Sequence, residues 1–256
     1  MSGAAANPNS GTAMQVRLRW SKIGKLRFTS HRDMARIWER ALRQAQLPVT
    51  YTQGFSPRAK LAFGLALPTT FESMCEFVDV SLNTVDIDVA TIARRVNPFL
   101  PVGVEVTAVA PVERGETSLQ QAVTSSEWLL AVAADALAVS TWIESALDAP
   151  EIVVTRERKG KEVTDDLRPA ILSLTIAEPS LFDAASGVPS DCVCIVADLA
   201  TQPRALRPGE LLDVFEPGFT FVRGRRLHQW IASAGARREP ISLGAAAAPH
   251  RESVCA

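Results

Sequence analysis

The chain has 256 residues, 47% of them hydrophobic, with 27 Lys and Arg against 28 Asp and Glu and a formal net charge of −1. That length suffices for one or two domains with real cores, and a mean hydropathy of +0.08 fits a soluble globular protein. The sequence holds no run of about 18 uncharged apolar residues and no signal-type apolar core near its start, which excludes a membrane-spanning helix and a secretory leader; a reducing cytoplasm and no membrane partner are expected.

Residues 1–13, rich in Ala, Ser, Gly, Asn and Pro, read as a disordered leader. In the next stretch Val16, Leu18 and Trp20 alternate with Gln15, Arg17 and Arg19, the period-two signature of a half-buried strand with a basic outer face. Thr29 and Ser30 are N-cap types, and Asp33 stands three after Ser30, as in a capping box with Asp in place of Glu. The helix that follows carries an apolar stripe of Met34, Ile37, Trp38, Ala41, Leu42 and Ala45. A second stripe, Arg32, Arg36, Arg40 and Arg43, is expected to be solvated and cationic. Pro48 stops the helix. Val49 to Tyr51 is extended, residues 53–57 (QGFSP) form a turn, and strand character resumes over 59–67. Residues 76–82 alternate as a strand, 86–99 have helical spacing ended by prolines, and 104–109 form a fourth strand.

This order, strand, helix, strand, strand, helix, strand, is the split unit of a ferredoxin-like fold. Strands over 127–133, 152–158, 163–176, 192–199 and 219–228, helices over 138–147 and 208–215, and a short helix over 229–233 suggest a second such unit with an extra hairpin. The expected fold class is therefore α+β, with two tandem ferredoxin-like units at 14–111 and 125–234. A polar linker at 112–124 joins them, each antiparallel sheet has its helices on one face, and 235–256 forms a disordered tail.

Between Gln15 and Phe63 eleven Lys and Arg face only Asp33 and Glu39, so the remainder is acidic and an anionic partner is favoured. Ser30, His31 and Asp33 at a helix start, close after Lys25 and Arg27, fit either an ordinary N-cap or an anion site of amides, hydroxyls and cations. His31 is the one candidate for acid–base chemistry there. Tyr51 and Phe55 could stack bases, Gly54 permits the turn, and Arg58 and Lys60 read either as phosphate contacts or as a solvated edge. The cap, the cationic stripe and the turn are expected to line one concave site that also takes Arg32. The basic-aromatic motif of a standard RNA recognition module is absent. In the second half Asp166, Arg168, Arg207 and Arg223 are candidates, with structural ion pairs the simpler reading. Cys75, Cys192, Cys194 and Cys255 show no metal-ligand spacing, so neither a metal nor a cofactor is expected; Cys192 and Cys194 read as same-face residues of a buried strand.

The segments FTSHRDM, ERALR, LPVTYTQGFSPRAKLAF, EFVDV and DLRP together resemble the radical-SAM-associated domain family of unknown function. The similarity runs over about residues 14–226 and is to its stand-alone form, which elsewhere is fused behind a cobalamin-binding radical SAM enzyme. Members commonly have Asn-Pro-His where this chain has Ser56-Pro57-Arg58, which puts a second histidine in doubt here. The resemblance implies association with radical SAM chemistry and with RNA or ribosome-related genes, but no reaction. The expected function is a non-catalytic RNA-binding or substrate-presenting accessory protein, with no sequence readout of DNA. Alternatives are an RNA-processing or RNA-modifying enzyme using His31, and a module that docks a separate radical SAM enzyme.

Overall fold

The computed structural model describes residues 13–158, 160–178, 181–182, 186–215, 218–233 and 235–241. They fall into two compact units, one of residues 13–120 with 240–241 and one of 121–239.

The first unit contains β1 (Met14–Lys22), α1 (His31–Gln44), β2 (Leu61–Phe63), β3 (Glu72–Leu82), α2 (Ile92–Val96) and β4 (Val104–Val112). Its strands pair antiparallel in the order β4-β1-β3, with β2 on the far side of β3. The alternation of β1 buries Val16, Leu18 and Trp20 beneath the apolar stripe of α1, where Met34, Trp38, Ala41 and Leu42 meet Val78 and Val80. Trp20 and Trp38 cross edge-on at 5.4 Å.

The basic outer face expected of β1 is corrected by the structure. Arg17 and Arg19 are only 2% and 5% exposed, because the sheet's second face is covered as well. Leu119 and Ile241 pack there on Cys75, Phe77 and Ala108. Arg17 is held as an ion by two bonds to Asp79, of 2.8 and 3.0 Å, and one of 2.6 Å to Glu116. The helix expected over 86–99 breaks into a 3-10 turn at Val89–Thr91, the five-residue α2 and a second 3-10 turn at Asn97–Phe99. Pro98 disfavours a continued α-helix, and the Asn97 side chain turns to the backbone of Val106 instead.

After α3 (Leu119–Ala122), the second unit contains β5 (Ser125–Ala133), α4 (Ala136–Asp148), β6 (Val153–Arg158), β7 (Lys161–Asp166), β8 (Ile171–Ala177), β9 (Val193–Ala200), α5 (Pro208–Leu212), β10 (Thr220–Ser233) and β11 (Ala236–Arg238). Its main sheet is antiparallel in the order β10-β5-β9-β8, while among the described residues β6 and β7 pair only with each other. Both units are α+β with antiparallel sheets, and β6-β7 is a hairpin inserted after α4. Cys192 and Cys194 are buried with Leu129, Ala131 and Phe182, and burial pushes both thiols up.

Two further expectations fail in this unit. The short helix over 229–233 is strand: β10 continues, with Gln229 opposite Ser126 and Trp230 opposite Ser125, and the pairing of Trp230 and Ile231 suits a sheet better than an isolated turn of helix. The tail expected to be disordered from residue 235 begins with β11, paired to β10, and Glu239 meets His228 at 2.7 Å. Residues 1–12 and 242–256 lie outside the described residues, as does Cys255. Among the described residues no helix is long and apolar enough to cross a membrane.

Candidate functional site

The start of α1 forms a closed polar network. Ser30 is the N-cap: its Oγ accepts from the Asp33 amide at 3.2 Å and donates to Asp33 Oδ2 at 2.7 Å, while Arg36 donates to Asp33 Oδ1 at 2.9 Å. The Ser30 hydrogen bond, against desolvation and helped by Arg36 and Arg32, holds the Asp33 carboxyl below its ordinary value. Asp33 is thereby engaged by the cap, and no hydrogen bond joins it to His31 among the described residues.

His31, the first residue of α1, is exposed and rests edge-on against Phe63 with ring centroids 5.0 Å apart. Beside it lies a small pocket of about 30 Å³ lined by Trp20, Lys22, His31, Met34, Phe63, Leu65, Leu67 and Glu76. Lys22 is only 4% exposed, and its Nζ donates to the Thr29 carbonyl at 2.8 Å. Burial lowers the pKa of this amine, and the nearby Glu76 carboxylate opposes the shift. The Trp20 indole N–H is buried with no acceptor among the described residues. That space is enough for one water, which needs roughly 10–15 Å³ on the same measure. The pocket thus offers donors, a carboxylate and an imidazole around a space for one small oxygen-bearing group.

Sequence reasoning missed Trp20, Lys22 and Glu76. A signal was present: Lys22 continues the inward set Val16, Leu18, Trp20, so a cation stands where the alternation calls for an apolar residue. Glu76 lies opposite Trp20 in the β1–β3 register.

The cations and aromatics of the same unit divide into two groups. Arg17, Arg19 and Lys22 are buried and leave the surface charge. Lys25, Arg32, Arg36, Arg40, Arg43, Arg58 and Lys60 are exposed. Arg27 is half-buried, donates to the Gly24 carbonyl at 3.0 Å and stacks its guanidinium 4.3 Å above the exposed Phe28 ring. Residues 52–58 close as a turn: the Thr52 amide donates to the Arg58 carbonyl at 2.8 Å and the Arg58 amide to Thr52 Oγ1 at 3.0 Å. Gly54 has a φ of 136°, a conformation that side chains other than glycine's rarely adopt. Phe55 at the tip is fully exposed, and Tyr51 at the base packs against the core. No hydrogen bond, ion pair or ring contact joins Phe55 or Arg58 to His31 among the described residues; the aromatic brought to His31 is Phe63.

Two of the second-unit candidates, Asp166 and Arg168, bond to backbone groups of the fold. Asp166 Oδ1 accepts from the amides of Ile152 and Arg168 at 2.8 and 3.0 Å. Arg168 donates to the Leu147 carbonyl at 3.2 and 2.8 Å and to that of Ile171 at 3.0 Å, tying the last turn of α4 to the start of β8. Arg207 is exposed beside a cavity of about 380 Å³ lined also by Arg156, Glu157, Arg204, Ala205 and Glu210. Arg156 pairs with Asp165 and Glu210 and Arg204 with Glu210, so these two charges are matched internally. Arg223 is half-buried on β10, opposite Ala131.

Antiparallel sheets with helices and a helix start flanked by exposed cations define an α+β protein with a candidate anion-binding face. The chain belongs to the family described as an uncharacterized protein conserved in bacteria (DUF2344), which matches residues 15–208. No curated protein matches it. Among solved structures it is similar to a chain in the crystal structure of a Cbf5-Nop10-Gar1 complex, at a TM-score of 0.40 and 12% identity. That similarity covers 89% of this chain and 56% of the other, so the chain spans little more than half of that neighbour's length.

Proposed function

We propose that the first unit binds RNA through the exposed face of α1 and the 52–58 turn, as a non-catalytic accessory to RNA or radical SAM-related modification. The observation that carries this reading is the pairing state of the exposed charges. Lys25, Arg40, Arg43, Arg58 and Lys60 have no acidic hydrogen-bond or ion-pair partner among the described residues, and the exposed Arg32 acts on Asp33 through its charge alone. Cations held in solvent, with Phe28 and Phe55 exposed on the same unit, offer phosphate contacts and stacking planes. A fluorescence titration of structured RNA at low and high salt tests it. Binding that weakens with salt and with Arg58→Ala plus Lys60→Ala is expected, and no binding at low salt would refute it.

One observation favours a second reading, in which His31 performs acid–base chemistry on bound RNA: the imidazole sits at a pocket that also holds Lys22 and Glu76. Labelled RNA incubated with wild type and His31→Ala separates the two readings. Products that form with wild type and vanish with His31→Ala support catalysis, while equal products or none leave binding alone.

A further inference from the structure

We propose that β8 is a self-recognition strand, through which two copies of this chain pair edge to edge as a symmetric dimer. β8 ends the sheet order β10-β5-β9-β8, and among the described residues no strand pairs with its other edge. Its sequence, ILSLTIA, has no charge, no proline and no glycine. Solvent-facing edge strands ordinarily carry such devices to prevent pairing, and the one irregularity β8 shows is a bulge at Leu172, between Ile171 and Ser173. The edge of β4 in the first unit shows what a blocked one looks like. There the Asn97 side chain accepts from the Val106 amide at 2.8 Å and donates to the Val106 carbonyl at 3.1 Å, and Pro111 removes another donor.

The pattern of β8 also selects the occupant. Ile171 and Leu174 are buried, whereas Leu172 and Ile176 are 51% and 49% exposed and Ser173 and Thr175 are exposed as well. Antiparallel pairing of two copies about a two-fold axis at Leu174 places residue 172 opposite 176 and residue 173 opposite 175 in both directions. Each exposed aliphatic side chain then meets an aliphatic one, and each hydroxyl meets a hydroxyl. This is the self-complementarity an isologous interface needs. An unrelated extended segment would use the same backbone groups but would have no reason to match this palindromic order.

Sedimentation equilibrium of the full chain over a concentration series tests the proposal. The wild type is expected to approach twice the 27.6 kDa chain mass as concentration rises. Leu172→Lys alone and Ile176→Glu alone each place a charge against an aliphatic partner and are expected to give monomers. The double variant places the new cation of each copy opposite the new anion of the other and is expected to restore the dimer. Because both side chains are about half exposed, the substitutions leave the core intact, which retained circular dichroism checks. A wild type that stays monomeric overturns the proposal. So does a dimer untouched by the single substitutions, or a double variant that remains monomeric where the single ones are.

Discussion

Asp79→Ala removes the carboxylate that faces Arg17 across β1 and β3. The two side chains are 3% and 9% exposed and joined by two short bonds, so deleting the acid leaves a guanidinium with no access to bulk water. Breaking a buried pair from one side costs about 3–5 kcal/mol. Glu116 still reaches Arg17 at 2.6 Å, which places the expected cost near the lower end, about 3 kcal/mol. With a urea slope of roughly 1–3 kcal/mol per molar, the midpoint for the first unit should fall by about 1 M or more. Glu116→Ala provides the internal comparison: that carboxylate is 27% exposed, and its removal should cost about 1 kcal/mol or less. Urea unfolding followed by tryptophan fluorescence, with Trp20 and Trp38 reporting on this core, measures both variants. Replacing Arg17 and Asp79 together by Met and Leu should recover much of the stability, since the two buried charges go together and only the part-exposed Glu116 loses its partner. An Asp79→Ala midpoint no lower than that of Glu116→Ala would refute the buried-pair reasoning.

Lys22 makes a pH prediction. Its pKa is lowered from the ordinary 10.5 by burial, so between the lowered value and 10.5 the unfolded chain binds more protons than the folded one. Stability therefore rises with pH across that window, and the cost of burying the ammonium is fully present below it. Wild type should gain stability relative to Lys22→Met as pH rises toward the ordinary 10.5, as read from urea midpoints; a relative decline contradicts the placement. Arg168→Ala frees the carbonyls of Leu147 and Ile171 and should destabilise the second unit by about 1–3 kcal/mol while leaving RNA affinity unchanged. A change in RNA affinity without a change in unfolding midpoint would instead mark Arg168 as an RNA-binding residue.

Much of the fold was legible because its signals are local. The apolar stripe of α1, its Ser30 cap and the alternation of β1 each follow from residues within a few positions, and the strand-helix order follows from them. What failed depended on packing between residues far apart along the chain. Arg17 and Arg19 read as an outer face because nothing nearby predicts that Leu119 and Ile241 cover that side of the sheet. The end of β10 and the strand β11 are likewise fixed by pairing with each other and with β5, not by their own composition. The candidate site shows the same division. Ser30, Asp33 and the exposed arginines were readable from spacing, yet the residues gathered beside His31 come from β1, β3 and the 63–67 segment, and only the β1–β3 register places Glu76 beside Trp20.

The central claim, that the exposed cations of the first unit grip RNA phosphates, is tested most directly by the salt dependence of binding. The slope of log Kobs against log salt should be negative for wild type. With a single-stranded RNA, Arg58→Ala with Lys60→Ala should make it shallower by about 1.4, at roughly 0.7 for each of two phosphates that the variant no longer neutralises. Identical slopes for wild type and variant, or the absence of binding at low salt, would contradict the account.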